Sequence, residues 1–486
     1  MSDLTRKAKS GFLYKFAERV GAQGTSFIIS LVLARLLLPS EYGVVAMVMV
    51  FISICDVFVM SGFGKSLIAN KESDNLDFST CLWFSFAIAA FLFAAVFFSA
   101  PYVAVFYHEP MLVPVFRVMA LKLPVTALAC VQESYTSKHL MFKKFFYATL
   151  TGTIASGVIS ITMAYLGCGV WALVCQNLSR AVINAAVLWC IVGWRPWARF
   201  SVERLKKIYD FGWKVLFIAL LDRVYGELRH LIIGKKYSAA DLAFYNRGHL
   251  FPSTGMSFIE PTINGVLFPA LAKVQDDREH MKAITRRIIK VSSYVTFPIM
   301  VGLAVMAKPL ILLILTDKWL ESVIYLQIGC LAMMFRPLQF INVSLIMACK
   351  EAGLLLKLDL IKKGIGVALL VISMFYGVFW IAMSLAVTNF ISVLINIGAN
   401  KRLLNYGYRI QFGDTILYLF MAVVMGAAMY SVFMLHLNNT LTLVLQLVAG
   451  VSVYLLLTRL FRDDSLSYVA STLRTMASHS KSGGMK

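Results

Sequence analysis

Two stretches of this 486-residue chain place ionisable side chains at helical spacing inside otherwise apolar runs. At about 100° per residue, Tyr14, Lys15, Glu18, Arg19, Gln23, Thr25, Ser26 and Ser30 share one half of a helical wheel, and Phe16, Ala17, Val20, Phe27 and Ile28 fill the other. Asp222, Arg223, Tyr225, Gly226, Glu227, Arg229 and His230 likewise cover about half a circumference, opposite Leu220, Val224, Leu228, Leu231 and Ile232. Arg117, Lys122, Arg180, Lys214 and Arg336 are isolated bases in other apolar runs, and Asp56 and Glu260 are isolated acids. The chemistry open to such residues is ion binding. A guanidinium grips phosphate or carboxylate oxygens in a bidentate way and stays charged when dehydrated. Lys15, Arg19, Arg117, Arg223, Arg229 and Arg336 are therefore candidate anion-binding residues. Glu18, Asp56, Asp222 and Glu260 could carry a coupling proton or sodium ion, or serve as ordinary salt-bridge partners.

The elements that position these residues follow from hydropathy. A hydrocarbon core about 30 Å thick takes about 20 apolar residues of helix to cross. About fourteen runs qualify, near 11–38, 42–62, 78–100, 111–133, 146–166, 169–193, 208–233, 246–272, 288–315, 321–348, 355–376, 379–399, 414–435 and 440–461. Hydrophobic residues make up 59% of the chain and charged ones 15%, and mean hydropathy is +0.76, which excludes a soluble core. The reading is an all-α polytopic membrane protein. Two runs should be broken: 246–272 carries Pro252, Pro261 and Pro269 among Ser253, Thr254, Ser257, Glu260 and Asn264, and 321–348 carries Arg336-Pro337 with Gln339 and Asn342. Such kinks serve either as static packing features or as hinges.

Each Arg, Lys or Asp at a bilayer centre costs about 2.5–3.5 kcal/mol on insertion scales. Lys15, Arg19, Arg117, Lys122, Arg180, Lys214, Arg223, Arg229 and Arg336 facing lipid would together cost on the order of 20 kcal/mol. Two arrangements avoid that cost. The charges pair with each other, as Arg223–Glu227 at i,i+4 and Lys15–Glu18 at i,i+3 suggest, or they face a hydrated cationic cavity, which the excess of bases over acids favours. Lys15, Lys122 and Lys214, near span ends, can also snorkel.

The net charge of +21 orients the chain. Of the 46 Lys and Arg, 31 fall in the N-terminus, the alternate connectors with the parts of the runs that adjoin them, and the C-terminal tail, among them Arg6, Lys7, Lys143, Lys144, Arg286 and Arg287. The opposite connectors hold Arg35, Lys235, Lys236, Arg247, Lys308 and Lys318. By the positive-inside rule both termini are cytoplasmic and the span number is even. Charge so distributed argues against a nucleic-acid partner. No cleavable signal peptide is expected, because the first ten residues are polar and the apolar run after them is too long. The eight cysteines form no C-x-x-C pair and read as packing residues, with no disulfide framework and no metal site. Gly64-Lys65-Ser66 ends like a P-loop, but Val59 stands where its first glycine belongs. No nucleophile–base motif appears, so the chain is expected not to be an enzyme and to need no cofactor beyond a proton or sodium gradient.

A repeat at an offset of 200 sets Leu31–Gly43 over Leu231–Ala243, matching Glu41 with Asp241 and Phe51 with Phe251. Six spans separate the copies, so the halves share one orientation. The expected organisation is an N-lobe over 1–199 with six helices, a pseudo-symmetric C-lobe over 200–400 with six more, and two extra helices with a cytoplasmic tail over 401–486.

The run Val266-Leu-Phe-Pro-Ala-Leu-Ala-Lys-Val-Gln-Asp-Asp277 resembles a signature of the Wzx-type polysaccharide transporters, nearest their WzxC-like branch, within the multidrug/oligosaccharidyl-lipid/polysaccharide exporter superfamily. Ala34-Arg-Leu-Leu-Leu-Pro-Ser-Glu-Tyr-Gly43, Gly62-Phe-Gly64, Phe244-Tyr-Asn-Arg247 and Asp317-Lys-Trp319 add to the likeness, which runs from about residue 10 to 400. The resemblance implies two six-span lobes plus two spans around a central cationic cavity in the bacterial inner membrane. It implies a flippase that carries an undecaprenyl-diphosphate-linked oligosaccharide from the cytoplasmic to the periplasmic leaflet, with a polysaccharide polymerase and a chain-length regulator as further partners. The basic residues of the first helix in each lobe map onto Lys15, Arg19, Arg223 and Arg229. At the last two the family more often has small or acidic residues, which points to a different glycan. Two rivals stand beside this reading: an ion-coupled drug antiporter of the same fold, disfavoured by the arginine excess, and a membrane-embedded polymerase or ligase, disfavoured by the lack of a large external loop.

Overall fold

The computed structural model describes residues 21–60, 63–69, 73–197, 199–274, 277–435 and 437–462, and every regular element among them is helical. The first half contains α1 (Gly21–Leu36), α2 (Pro39–Met60), α3 (Phe63–Ala69), α4 (Asn75–Tyr107), α5 (Leu112–Ala120), α6 (Lys122–Lys138), α7 (Phe142–Tyr165), α8 (Val170–Ile191) and α9 (Val202–Lys236). The second contains α10 (Ala239–Lys273), α11 (Arg278–Val305), α12 (Ala307–Ile314), α13 (Ser322–Met334), α14 (Arg336–Ala348), α15 (Ala352–Ser373), α16 (Val378–Leu404), α17 (Tyr408–Phe433) and α18 (Asn439–Leu460). Among the described residues ten segments are long and apolar enough to cross a membrane: α2, α4, α5 with α6, α7, α8, α11, α13 with α14, α16, α17 and α18. This is a multi-pass membrane protein. The helices α9 and α10 run for 35 residues each but dilute their apolar stretches with charged and polar residues.

Three helix breaks fall beside a proline, although α4 and α11 continue through Pro101 and Pro298. The run at 111–133 is divided at Leu121, where Pro124 lacks an N–H and its ring crowds the carbonyl of Ala120. Pro309 divides the run at 288–315 at Met306, and Pro337 divides the run at 321–348 at Phe335. The expected interruption of 246–272 does not occur: α10 is continuous through Pro252, Pro261 and Pro269. Each proline removes one ladder bond. Beside Pro252, Ser253 Oγ and Thr254 Oγ1 donate to Leu250 O at 3.0 and 2.7 Å.

The chain divides into two compact units, Met1–Ala243 and Phe244–Lys486. In the first, α7 and α8 form a closely packed hairpin, and α2 packs on α4, α5, α6 and α9. The connector after α8 is fastened to the start of α4. Trp194 Nε1 donates to Asn75 Oδ1, Trp83 Nε1 to Trp197 O at 3.0 Å, and Trp197 N to Ser79 Oγ at 2.8 Å. Arg204 then reaches Asp74 at 3.3 Å and Asp77 at 3.6 Å, the two residues that form the capping box of α4. The helix α9 therefore packs with the first unit.

The offset of 200 reappears as matched geometry. The helices α1 and α9 end at Leu36 and Lys236, and α2 and α10 begin at Pro39 and Ala239. Leu38 N donates to Glu41 Oε2 at 2.7 Å, and Ser238 N donates to Asp241 Oδ2 at 3.0 Å. Aligned acids thus cap aligned helices.

In the second unit α11 packs on α13, α14 and α17, α16 packs on α13, α14 and α15, and α18 on α12 and α17. Asp277, the last residue of the signature run, caps α11 by accepting from His280 N at 2.9 Å. Two of the short motifs meet: Arg247 stacks over the buried Trp319 ring at 5.0 Å, and Phe244 packs edge-on to the same ring. Asp414, 5% exposed, accepts both arms of Arg286 at 2.8 Å, Tyr406 Oη at 3.1 Å and Lys290 at 3.5 Å. Burial and the Asp414 carboxylate push the Tyr406 phenol well above its usual range. Beside it Asn400 and Gln411 each bond Asn342, joining α14, α16 and α17.

Candidate ion-binding site

The site is built on the middle of α9. Ser201 starts the helix by accepting from Arg204 N, with Glu203 in the first turn and Lys235 and Lys236 in the last, charges that match the helix dipole. Lys235 lies over the Phe106 ring at 4.3 Å, which ties the end of α9 to the end of α4.

Between these ends Glu227 gathers three partners. Arg223 Nη2 reaches Glu227 Oε1 at 2.9 Å, the contact that the i,i+4 spacing predicts. His230 Nδ1 lies 2.8 Å from Oε2, and Ser53 Oγ on α2 donates to Oε1 at 3.1 Å. The carboxylate is therefore held from both helices. Arg223 keeps 46% of its side chain exposed and His230 29%, whereas Glu227 keeps 11%.

Arg229 is different. It is 4% exposed, and its Nε and Nη2 have no hydrogen-bond partner among the described residues. A buried guanidinium with unmet donors is costly, and an anion is the chemical group that meets them.

The other candidates fall into pairs. Lys122 Nζ binds Asp56 Oδ2 at 2.6 Å across α2 and α6, while Asp56 Oδ1 is buried with no hydrogen-bond partner among the described residues. In the second unit Arg336 binds Glu260. Lys122 and Arg336 are the first residues of α6 and α14, so each opens the half-helix that follows a break. A base at that end opposes the helix dipole, and the carboxylate offsets both. Arg117 stacks over Phe97 at 4.7 Å, and its buried Nε has no hydrogen-bond partner among the described residues. Asp222 also has an interaction partner. Lys15, Glu18 and Arg19 lie outside the described residues.

The sequence pointed to the charged face of α9 but not to Ser53, which reaches Glu227 across 174 positions. It also passed over Asp414 and Gln411, and it named Asn342 only beside the expected break at Pro337. Their one available signal is polarity inside apolar runs.

Residues 32–324, more than half of the chain, match the family described as "Polysaccharide biosynthesis protein". The chain belongs to that family. It is 23% identical over 375 residues to the lipopolysaccharide biosynthesis protein WzxC of Escherichia coli (strain K12), a match covering 76% of this chain and 75% of the relative. It is also 23% identical over 301 residues to the succinoglycan biosynthesis transport protein ExoT of Rhizobium meliloti (strain 1021), covering 62% of this chain and 61% of the relative. The fold resembles that of the lipid II flippase MurJ in its inward closed conformation, with a TM-score of 0.70 at 14% identity over 94% of this chain and 99% of that one. The expected Wzx-type kinship is met.

Proposed function

We propose that this polysaccharide biosynthesis protein is a flippase for a polyprenyl-diphosphate-linked oligosaccharide, moving it from the cytoplasmic to the periplasmic leaflet of the bacterial inner membrane. The observation that carries the reading is Arg229, a buried guanidinium with two donor nitrogens unmet among the described residues, on the helix that also holds Arg223, Glu227 and His230. A diphosphate is the part of such a lipid that these donors suit. The relatives' names and the MurJ-like fold support the same direction.

In this proposal the described segments make fourteen spans, six in each of two lobes and two beyond them, with both termini cytoplasmic. The matched caps at Glu41 and Asp241 support the duplication. The lobes face a hydrated cationic cavity in which Lys15, Arg19, Arg117, Arg223, Arg229 and Arg336 contact the substrate. The sugars and diphosphate occupy this cavity while the polyprenyl tail stays in lipid, and rocking of the lobes opens it outward. A proton or sodium gradient couples through Glu18, Asp56, Asp222 or Glu260, and a polysaccharide polymerase and chain-length regulator receive the product. The chain acts as a transporter rather than an enzyme.

The test is depletion of the protein followed by mass spectrometry of the membrane lipids. A polyprenyl-diphosphate oligosaccharide accumulating on the inner leaflet is expected, with rescue by the wild type but not by Arg223→Glu/Arg229→Glu at matched expression. Accumulation on the outer leaflet instead would move the block to polymerisation, and undiminished surface glycan in the double variant would remove these arginines from the mechanism.

A further inference from the structure

We infer that Glu227 and His230 form a proton-binding site that governs whether Arg223 is available to an anionic ligand. The inference rests on the flippase reading for the identity of that anion, but the proton site itself rests on local geometry. None of the acids considered for ion coupling from the sequence is Glu227.

The contacts are specific. One Glu227 oxygen is shared by Arg223 at 2.9 Å and Ser53 at 3.1 Å, and the other faces His230 Nδ1 at 2.8 Å. An ionised carboxylate only accepts, so Nδ1 carries the hydrogen and an added proton binds at Nε2 of the ring. The imidazole is 29% exposed, within reach of water, while its carboxylate partner is 11% exposed.

Other charged and titratable groups stand on the described elements packed on α9. From α2 come Cys55 and Asp56, the latter held by Lys122 of α6. From α4 come Tyr107, whose ring lies against Gly234, and Asp74 and Asp77, which bind Arg204 near the opposite end of α9. The short helix α3 presents no titratable group among its described side chains. On α9 itself Asp222, Arg223 and Arg229 flank the pair. Histidine is the one side chain here whose ordinary titration falls between about pH 5 and 8.

With His230 neutral, Arg223 and Glu227 cancel. When water delivers a proton to Nε2, the imidazolium satisfies the carboxylate and the trio becomes net positive. Arg223, already 46% exposed, is then free to turn its fork to a phosphate. Proton and anion therefore bind cooperatively, and linkage requires each to tighten the other by the same factor.

The experiment uses the full-length protein in detergent with farnesyl diphosphate as probe. Wild type is expected to bind about tenfold more tightly at about pH 6 than at about pH 8. His230→Gln should lose this pH dependence and stay at the weak level. Glu227→Gln, which releases Arg223 without a proton, should bind tightly at both pH values, an effect that a merely structural carboxylate would not produce. A His230→Gln variant with the wild-type pH slope overturns the site. If no variant binds the diphosphate at any pH, the flippase reading fails, and the proton site is judged by carbethoxylation of His230 followed by mass spectrometry. A modification midpoint displaced in Glu227→Gln supports the pair, and an unchanged midpoint overturns it.

Discussion

Replacing Asp414 by asparagine removes a charge while keeping the side chain's shape. In the native chain that carboxylate binds both arms of Arg286, the Lys290 ammonium and the Tyr406 hydroxyl, and it is 5% exposed. Breaking a fully buried charge pair costs about 3–5 kcal/mol. Arg286 and Lys290 each keep 44% of their side chains exposed and can rehydrate, which lowers the expected cost to about 2 kcal/mol. Tyr406 cannot rehydrate, since it is fully buried, and poorer pairing of its hydroxyl adds about 1 kcal/mol. The total of about 3 kcal/mol corresponds to a fall of about 6 °C in the melting temperature of a unit this size. The assay is thermal unfolding in detergent, followed by tryptophan fluorescence. Tyr406→Phe should cost about 1 kcal/mol alone and show less than additive loss when combined with Asp414→Asn, because the two share one bond. An Asp414→Asn protein melting within about 1 °C of wild type would refute the claim that this cluster fastens α17 to α11.

Two further outcomes follow from packing and pairing. Lys122→Ala strands the mostly buried Asp56 carboxylate and should cost about 2–4 kcal/mol, whereas Lys122→Gln combined with Asp56→Asn should recover most of the loss, as read by the same melting assay. A Cβ on Gly43 would lie 1.8 Å from the Ala239 carbonyl oxygen, so Gly43→Ala should cost at least about 3 kcal/mol and sharply reduce folded protein on size-exclusion chromatography; a normal elution profile and melting point would show that the contact yields.

Hydropathy made most of the helices legible, because burying backbone polar groups in lipid leaves few options besides helix. The match of Glu41 with Asp241 was legible too, and both prove to be helix caps. Proline was read less well. Pro337 marks a real break, Pro124 and Pro309 mark breaks that hydropathy ran straight through, and Pro252, Pro261 and Pro269 mark none. One missing N–H is decisive only when the neighbouring turns also give way, and that depends on tertiary contacts. Long-range pairing is hidden for a related reason. The i,i+4 rule finds Arg223 for Glu227, but nothing local in the sequence links Ser53 to Glu227 or Arg286 to Asp414.

The register shared by the two copies has an evolutionary consequence. Opposite Asp222, Arg223, Glu227, Arg229 and His230, the earlier helix carries Ala22, Gln23, Phe27, Ile29 and Ser30. If the two copies arose by the duplication proposed above, their shared frame would let one helix keep its shape at these positions while its counterpart takes on new electrostatics. Selection for a new cargo could then rewrite a single helix and leave the architecture untouched.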